Sequence, residues 1–412
     1  MTIGVEVPSN TSFDVAIIGA GPSGSLAAKL LRDNNVSVII LEGAEFPRFS
    51  IGESLLPNCL NMLEKAGLLP SVIEAGFQYK NGATFERAEE RSSIDFRDNF
   101  DEGWGTAYQV QRADFDKILA DNASKAGAEI NYGRFVTKAE LGKGACILTH
   151  KGKDGTVETV TSKFALDASG YGRVLPKLLD LETPSNLPER SALFTHVQDN
   201  IEAGDIDRNK ILITVHPNRK DVWYWLIPFS NGTSSVGVVY EKNEENLNED
   251  DLFDALINQT RLGKILSNAE RTRPLGKMSG YSCNVSSLHG PGFALLGNAA
   301  EFLDPVFSSG VTIAMKSAEL AVPQILRELN GEEADWQNDF SIPLKQGVDV
   351  FRVFVESWYQ GGLQNIVLHH PETENDLTKM MVSILSGYAW SEHSPLVQKP
   401  KRILRLLEEL CA

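Results

Sequence analysis

The 412 residues predict an α/β fold in three parts, and three observations carry that prediction. An apolar β-branched run, a glycine turn and a helical pattern follow one another between Phe13 and Asn34. Strand-like alternation fills roughly 190–280, and helical periodicity dominates the chain beyond 331. A composition 42% hydrophobic and 23% charged, with 34 glycines, belongs to a chain that buries a large core. The net charge of −16 argues against broad binding to nucleic acid or anionic lipid, so neither partner is expected. Cys59, Cys146, Cys283 and Cys411 form no C-x-x-C pair and have no histidine at ligand spacing. Neither a disulfide framework nor a metal site is predicted. The first fourteen residues lack a basic and an apolar leader region, and no apolar run reaches the roughly 18 residues of a membrane span. A cytoplasmic protein with reduced thiols is expected.

Taken in order, Phe13–Ile18 reads as a strand, Gly19, Gly21 and Gly24 as a tight turn, and the residues to Asn34 as a helix. A second strand, Val36–Leu41, ends at Glu42, about 20 residues beyond the glycines. Between Pro57 and Phe77, leucines at helical spacing broken by Gly67 and Pro70 predict two short helices. The stretch 83–111 reads as a hairpin excursion, and Arg112–Ala126 as a helix with Asp114 as its cap. Strands of a small sheet follow from Glu129 to Leu166, turning at Lys153-Asp154-Gly155. An antiparallel sheet is predicted from Ala192–Val197, Ile211–Val215, Val222–Ile227 and Ser234–Tyr240, with a polar helix over Asn248–Gln259. Phe293–Leu296 returns to an apolar strand, and Ser308–Leu326 is helical. The expected division is therefore a nucleotide-binding body over 13–185, with 83–111 reaching towards a strand-rich substrate lobe over 186–285. The body resumes over 286–330, and a helical lobe covers 331–412.

Three glycines at this spacing supply a positive backbone angle, close approach to a pyrophosphate and close helix–strand packing. With a strand before, a helix after and Glu42 available to a ribose hydroxyl, Gly19, Gly21 and Gly24 read as a Rossmann-like dinucleotide turn. Gly297-Asn298-Ala299-Ala300 with Asp304-Pro305, and Asp167-Ala168-Ser169-Gly170, are similar to the second and third fingerprints of FAD-dependent hydroxylase-like proteins. That resemblance implies FAD and a body of the p-hydroxybenzoate hydroxylase type. It places Asp167, Gly297, Asn298 and Asp304 at the cofactor. Asn298 departs from the usual acid but still donates and accepts hydrogen bonds. Arg112 resembles the arginine that contacts the flavin mononucleotide half, and Arg48 is a second candidate.

Two further segments narrow the resemblance. Pro47 to Pro57, with Ile51-Gly52-Glu53-Ser54-Leu55-Leu56, and Trp223-Tyr224-Trp225-Leu226-Ile227-Pro228, are similar to the flavin-dependent halogenases, in the shorter branch acting on phenols and carrier-bound pyrroles. The likeness runs from about 13 to 360. It implies reduced FAD delivered by a separate reductase, O2, chloride or bromide, and an electron-rich pyrrolyl or phenolic ring, possibly on an acyl carrier protein. Lys80, within Tyr79–Phe85, matches the essential lysine. Its ammonium can hydrogen-bond hypohalous acid, or its neutral amine can carry halogen, and both roles stay open. Pro305–Val311 resembles the halide loop, implying halide at Ser309 and Gly310; a helix cap at Ser308 or Ser309 suits the same residues. Phe307 stands where tryptophan halogenases carry a glutamate, which points away from free tryptophan.

Trp223 and Trp225 lie two apart on a strand and share a face, and with Phe307 they are expected to wall the flavin from the substrate; core packing of the second sheet is the alternative. Docking of an acidic carrier would need a basic patch such as Lys399, Lys401, Arg402 and Arg405. An aromatic hydroxylase or oxidase using the same frame without halide is one alternative. A flavoprotein that oxidises a side chain of a partner protein is the other. The seven histidines show no catalytic pattern, and His369-His370-Pro371 reads as a loop.

Overall fold

A computed structural model describes residues 12–241, 248–369 and 376–411. The N-terminal stretch read above for a leader lies, apart from its last residues, outside the described residues, as do His370 and Pro371.

The chain builds two large sheets. In the first, Glu129–Tyr132, Val38–Glu42, Ser12–Ile18, Val157–Asp167 and Phe293–Leu295 run parallel in that spatial order. The runs Val15–Ile18 and Val38–Glu42 are buried throughout, as a sheet covered on both faces requires. Helix Pro22–Asp33 packs against the long helix Ser309–Leu329, so the glycine turn and the 305–310 loop converge on one end of this sheet.

The second sheet has the order Glu270–Arg271, Arg190–Gln198, Thr233–Glu241, Arg219–Pro228, Lys210–His216, Gly82–Arg87, Glu90–Asp95. It is antiparallel except where Lys210–His216 runs parallel to Gly82–Arg87, an exception not anticipated from the sequence, because only the distant hairpin 82–95 creates it. Alternation along the strands sorts the side chains. Tyr224 and Leu226 face outward onto helices Glu249–Asn258 and Arg261–Ile265. Trp223, Trp225, Ile211 and Ile213 face the main core. The Asn248 side chain accepts from the Asp251 N–H and acids fill the first turn, which complements the free amides and dipole there.

Helices Ile342–Gln360, Gly362–His369, Asp376–Leu385 and Pro400–Leu410 close the molecule. Gly362–His369 lies over the 82–95 hairpin, with Arg87 donating to Asn365 Oδ1 at 3.1 Å and His369 Nε2 3.1 Å from Glu90 Oε1. His369 therefore ends a helix rather than sitting in a loop. The helix Arg112–Lys125 begins after Gln111, so Asp114 falls inside its first turn and is not the cap. Among the described residues, no helix is long and apolar enough to cross a membrane.

Candidate active site

A cleft of about 640 Å³ opens where the glycine turn, helix Ser309–Leu329 and the inner face of the second sheet meet. Each turn glycine has its own reason. Gly19 has φ +99°, and a Cβ there would lie 2.5 Å from the Ala168 carbonyl oxygen; at Gly24 it would lie 2.0 Å from that of Gly19. Both are demanded by packing. A Cβ on Gly21 would meet only Arg48 Nη2, at 3.6 Å, so this glycine keeps the approach to the helix open. No side chain caps the N-terminus of Pro22–Asp33, which leaves its first amides for an anion. Glu42 is fixed beside them by accepting from Ala20 N (2.7 Å) and Ala44 N (2.8 Å).

Arg48 and Arg112 supply cationic wall to the same cleft. The buried Asp116 holds both: Arg112 donates to its two oxygens at 2.7 and 2.9 Å, and Arg48 Nη1 lies 3.1 Å away. Arg112 also donates to the Ile51 carbonyl at 2.7 Å. Asn298 lines the cleft as well. An anion-ready helix start, an acid at the end of the second strand and paired arginines together fit a dinucleotide.

Other residues expected at the cofactor stand behind the cleft. Asp167 is fully buried and accepts from Ser169 N (2.8 Å) and Leu175 N (2.6 Å), so it shapes the turn whose Ala168 and Ser169 form the wall. Burial is the main influence on its carboxyl and raises its pKa. Gly297 (φ +53°) sits against Ala314 and donates to Ser317 Oγ at 2.9 Å. Asp304 accepts from Val306 N at 3.0 Å and from the Tyr359 hydroxyl at 2.9 Å, and Trp223 Nε1 donates to that same Tyr359 oxygen at 2.9 Å. Desolvation pushes the Asp304 carboxyl up to about 6 against the lowering effect of these bonds and of Arg190. Asp304 thus ties the 305–307 turn to the indole strand rather than reaching the cleft.

Ser308 adopts a left-handed φ of +56° and makes no side-chain cap, so the start of helix Ser309–Leu329 is uncapped. Gly310 lines the cleft, whereas Ser309 is buried outside its lining.

Lys80 lies beyond a partition. It is 1% exposed and lines a separate void of about 20 Å³, room for about one water, together with Leu56, Phe85, Phe96, Phe307 and Leu385. Its Nζ donates to Ser54 Oγ (2.7 Å) and the Leu55 carbonyl (2.8 Å) and stands 4.9 Å from the Phe96 ring centre. Desolvation lowers its pKa from 10.5 to about 7, offset in part by Cys59. Ile211, Ile213 and Ser308 line both the void and the cleft. Trp223 and Trp225, with ring centres 5.9 Å apart, line only the cleft, and Phe307 only the void. The partition shared by the two spaces is therefore the neighbouring isoleucine strand and Ser308. The indoles form the cleft side alone, because Ile213 pairs with Trp225 one strand nearer to Lys80.

Sequence reasoning missed Asp116, the isoleucine pair and a contact of 2.7 Å between His196 Nε2 and Glu53 Oε1. The halogenase-like segment did contain Glu53; its partner, 143 positions away, gave no local signal.

The FAD binding domain family model matches residues 12–339. The 1H-pyrrole-2-carbonyl-[peptidyl-carrier protein] chlorinase of Pseudomonas fluorescens is 30% identical over 387 residues, covering 85% of this chain and 83% of its own. A flavoprotein/dehydrogenase of Cytophaga hutchinsonii superposes with a TM-score of 0.92 at 39% identity, covering 97% of this chain and 98% of that one. The flavin-dependent brominase Bmp2 superposes with a TM-score of 0.81 at 27% identity, covering 97% and 99%. The chain belongs to the FAD binding domain family and, within it, to the flavin-dependent halogenases.

Proposed function

We propose that this enzyme halogenates an electron-rich ring, a pyrrolyl or phenolic group presented on a carrier protein, beside Lys80. The observation that carries the reading is a buried ammonium in an apolar void, next to a dinucleotide cleft but partitioned from it. The amides at the start of Pro22–Asp33, with Gly19, Gly21 and Gly24 shaping the turn, would hold the pyrophosphate, Glu42 the ribose, Asn298 the ribityl chain, and Arg48 and Arg112 the flavin half. Asp167, Gly297 and Asp304 would support that arrangement from behind. Reduced FAD, delivered by a separate reductase, would supply two of the four electrons that O2 takes up, and chloride or bromide, oxidised to hypohalous acid, would supply the other two. The uncapped helix start at Ser309 and Gly310 offers free N–H groups to the halide.

Lys80 fits the receiving role. Two of its N–H groups are held by Ser54 and Leu55, which fixes the amine and leaves a third donor for hypohalous acid. With a pKa near 7, its charged and neutral forms coexist at neutrality. The void itself has room for about one water, not for a ring, but its described lining is apolar apart from Ser308 and Lys80 and holds no second charge, which suits the approach of an uncharged ring better than that of a free amino acid. The P. fluorescens relative acts on a carrier-bound pyrrole, which supports a tethered substrate. The four unpaired cysteines accord with a cytoplasmic setting.

The test supplies reduced FAD, O2 and bromide with a pyrrolyl carrier protein and follows acceptor mass. Lys80→Ala should lower halogenation by at least about 100-fold, with FAD affinity retained. Undiminished halogenation would remove Lys80 from the reaction. Halogenation of a free phenol but not of the carrier-bound pyrrole would reject tethering, and labelled oxygen in the product in place of halogen would make the enzyme a hydroxylase.

A further inference from the structure

We infer that Glu53 and His196 form a proton-delivery pair that feeds the cleft from solvent. The inference rests on the halogenase reading, and its starting point is stoichiometry. Reduced flavin gives up two electrons and two protons; halide and the aromatic C–H together give up two electrons and one proton as the carbon–halogen bond forms. Reduction of O2 to two waters, with cleavage of the O–O bond, takes four electrons and four protons. One proton per turnover must therefore come from outside the reacting groups, from solvent.

The described residues offer one route of the right form. Glu53 is 2% exposed yet lines the cleft, and its Oε1 lies 2.7 Å from His196 Nε2. His196 is 18% exposed and is absent from the cleft lining. Phe49 and Phe229 pack edge-on against the imidazole, at 5.3 and 5.4 Å between ring centres, and hold its plane. Arg112 on the helix side and Arg273 beyond Phe49 are the cations that interact with Glu53. A proton from solvent would enter at His196 Nδ1, the Nε2 proton would pass to the Glu53 carboxylate, and Glu53 would hold it at the cleft, where the reduction of O2 consumes it. The pair ends as it began, with no electron transferred through it, once the imidazole tautomer resets.

The neighbouring residue makes the placement meaningful. Ser54 bridges to Gln109 and lines the cleft beside Glu53 while its Oγ accepts from the Lys80 amine at 2.7 Å, so this short segment touches the cleft through both residues, His196 through Glu53 and Lys80 through Ser54.

The experiment uses the full chain with FAD, a reductase, bromide and an aromatic acceptor. Glu53→Gln keeps a hydrogen-bonding partner for His196 but cannot be an acid; kcat for halogenation should fall about 10- to 100-fold with KM for the acceptor unchanged. Glu53→Ala should be partly restored by added formate, and His196→Asn by added imidazole, which a merely structural role would not allow. FAD affinity, read from quenching of flavin fluorescence, should stay within about twofold of the parent, as a residue that does not hold the flavin requires. Full kcat in Glu53→Gln, absence of rescue in both variants, or a tenfold loss of FAD affinity each overturns the pair. A parent enzyme that yields no halogenated product at all overturns the halogenase reading itself and this inference with it.

Discussion

Lys80 shows how one residue can be bought at the expense of stability. A fully buried ammonium whose pKa falls from 10.5 to about 7 binds fewer protons folded than unfolded between those values. Stability linked to this group is therefore gained as pH rises through that window and lost as pH falls through the folded value. Lys80→Met removes the desolvated charge and nearly preserves volume. It should raise unfolding free energy by about 1–3 kcal/mol at pH 6, and by less at pH 9, where the folded amine is already neutral. Denaturant titration at the two pH values checks this, and a gain that does not shrink with pH would mean the amine is not desolvated. Much at this scale was legible beforehand. The glycine turn with Glu42 beside it could be read from a short local pattern, whereas Lys80 was singled out only by its resemblance to the halogenase segment. Asp304 and Asp167 were placed at the cofactor because a motif reports which residues cluster, but not which way a buried carboxylate turns once amides compete for it.

The indole strand illustrates what elements add. Alternation along Arg219–Pro228 sends Trp223 and Trp225 inward and Tyr224 outward, a parity visible in the sequence. The sequence did not reveal which strand would lie between them and Lys80, because that depends on a parallel pairing between Lys210–His216 and a hairpin more than a hundred residues earlier. The next strand also matters. Gly237 pairs with Trp225, and a Cβ there would lie 2.2 Å from the indole ring, so the ring lies directly across this glycine. Gly237→Ala should therefore displace Trp225 into the cleft, costing about 1–3 kcal/mol in stability and shifting the absorption bands of bound flavin. Thermal melts and a flavin spectrum identical to the parent would show that the cleft side of the wall tolerates movement.

At the scale of the whole molecule, helix Pro400–Leu410 packs over the helices that cover the Lys80 void, one of which contributes Leu385 to it. Lys401, Arg402 and Arg405 are exposed on that helix beside Leu406 and Leu410, which are 39% and 57% exposed, on a chain of net charge −16. An acidic carrier would find both charge and apolar contact there. Lys401→Glu with Arg405→Glu should raise KM for a carrier-bound ring about tenfold, leave turnover of a free phenol unchanged, and weaken the salt dependence of the former. Equal effects on both substrates would place docking elsewhere. The composition of the Lys80 void carries a last corollary, in terms of corrosion. Among its described lining residues there is no methionine, cysteine, tyrosine, tryptophan or histidine. Those are the side chains an electrophilic halogen attacks first, so if the halogen is held at Lys80 as proposed, a void lined by aliphatic and phenyl groups and Ser308 would leave it one amine to rest on and no sulfur or electron-rich ring in that lining to spoil.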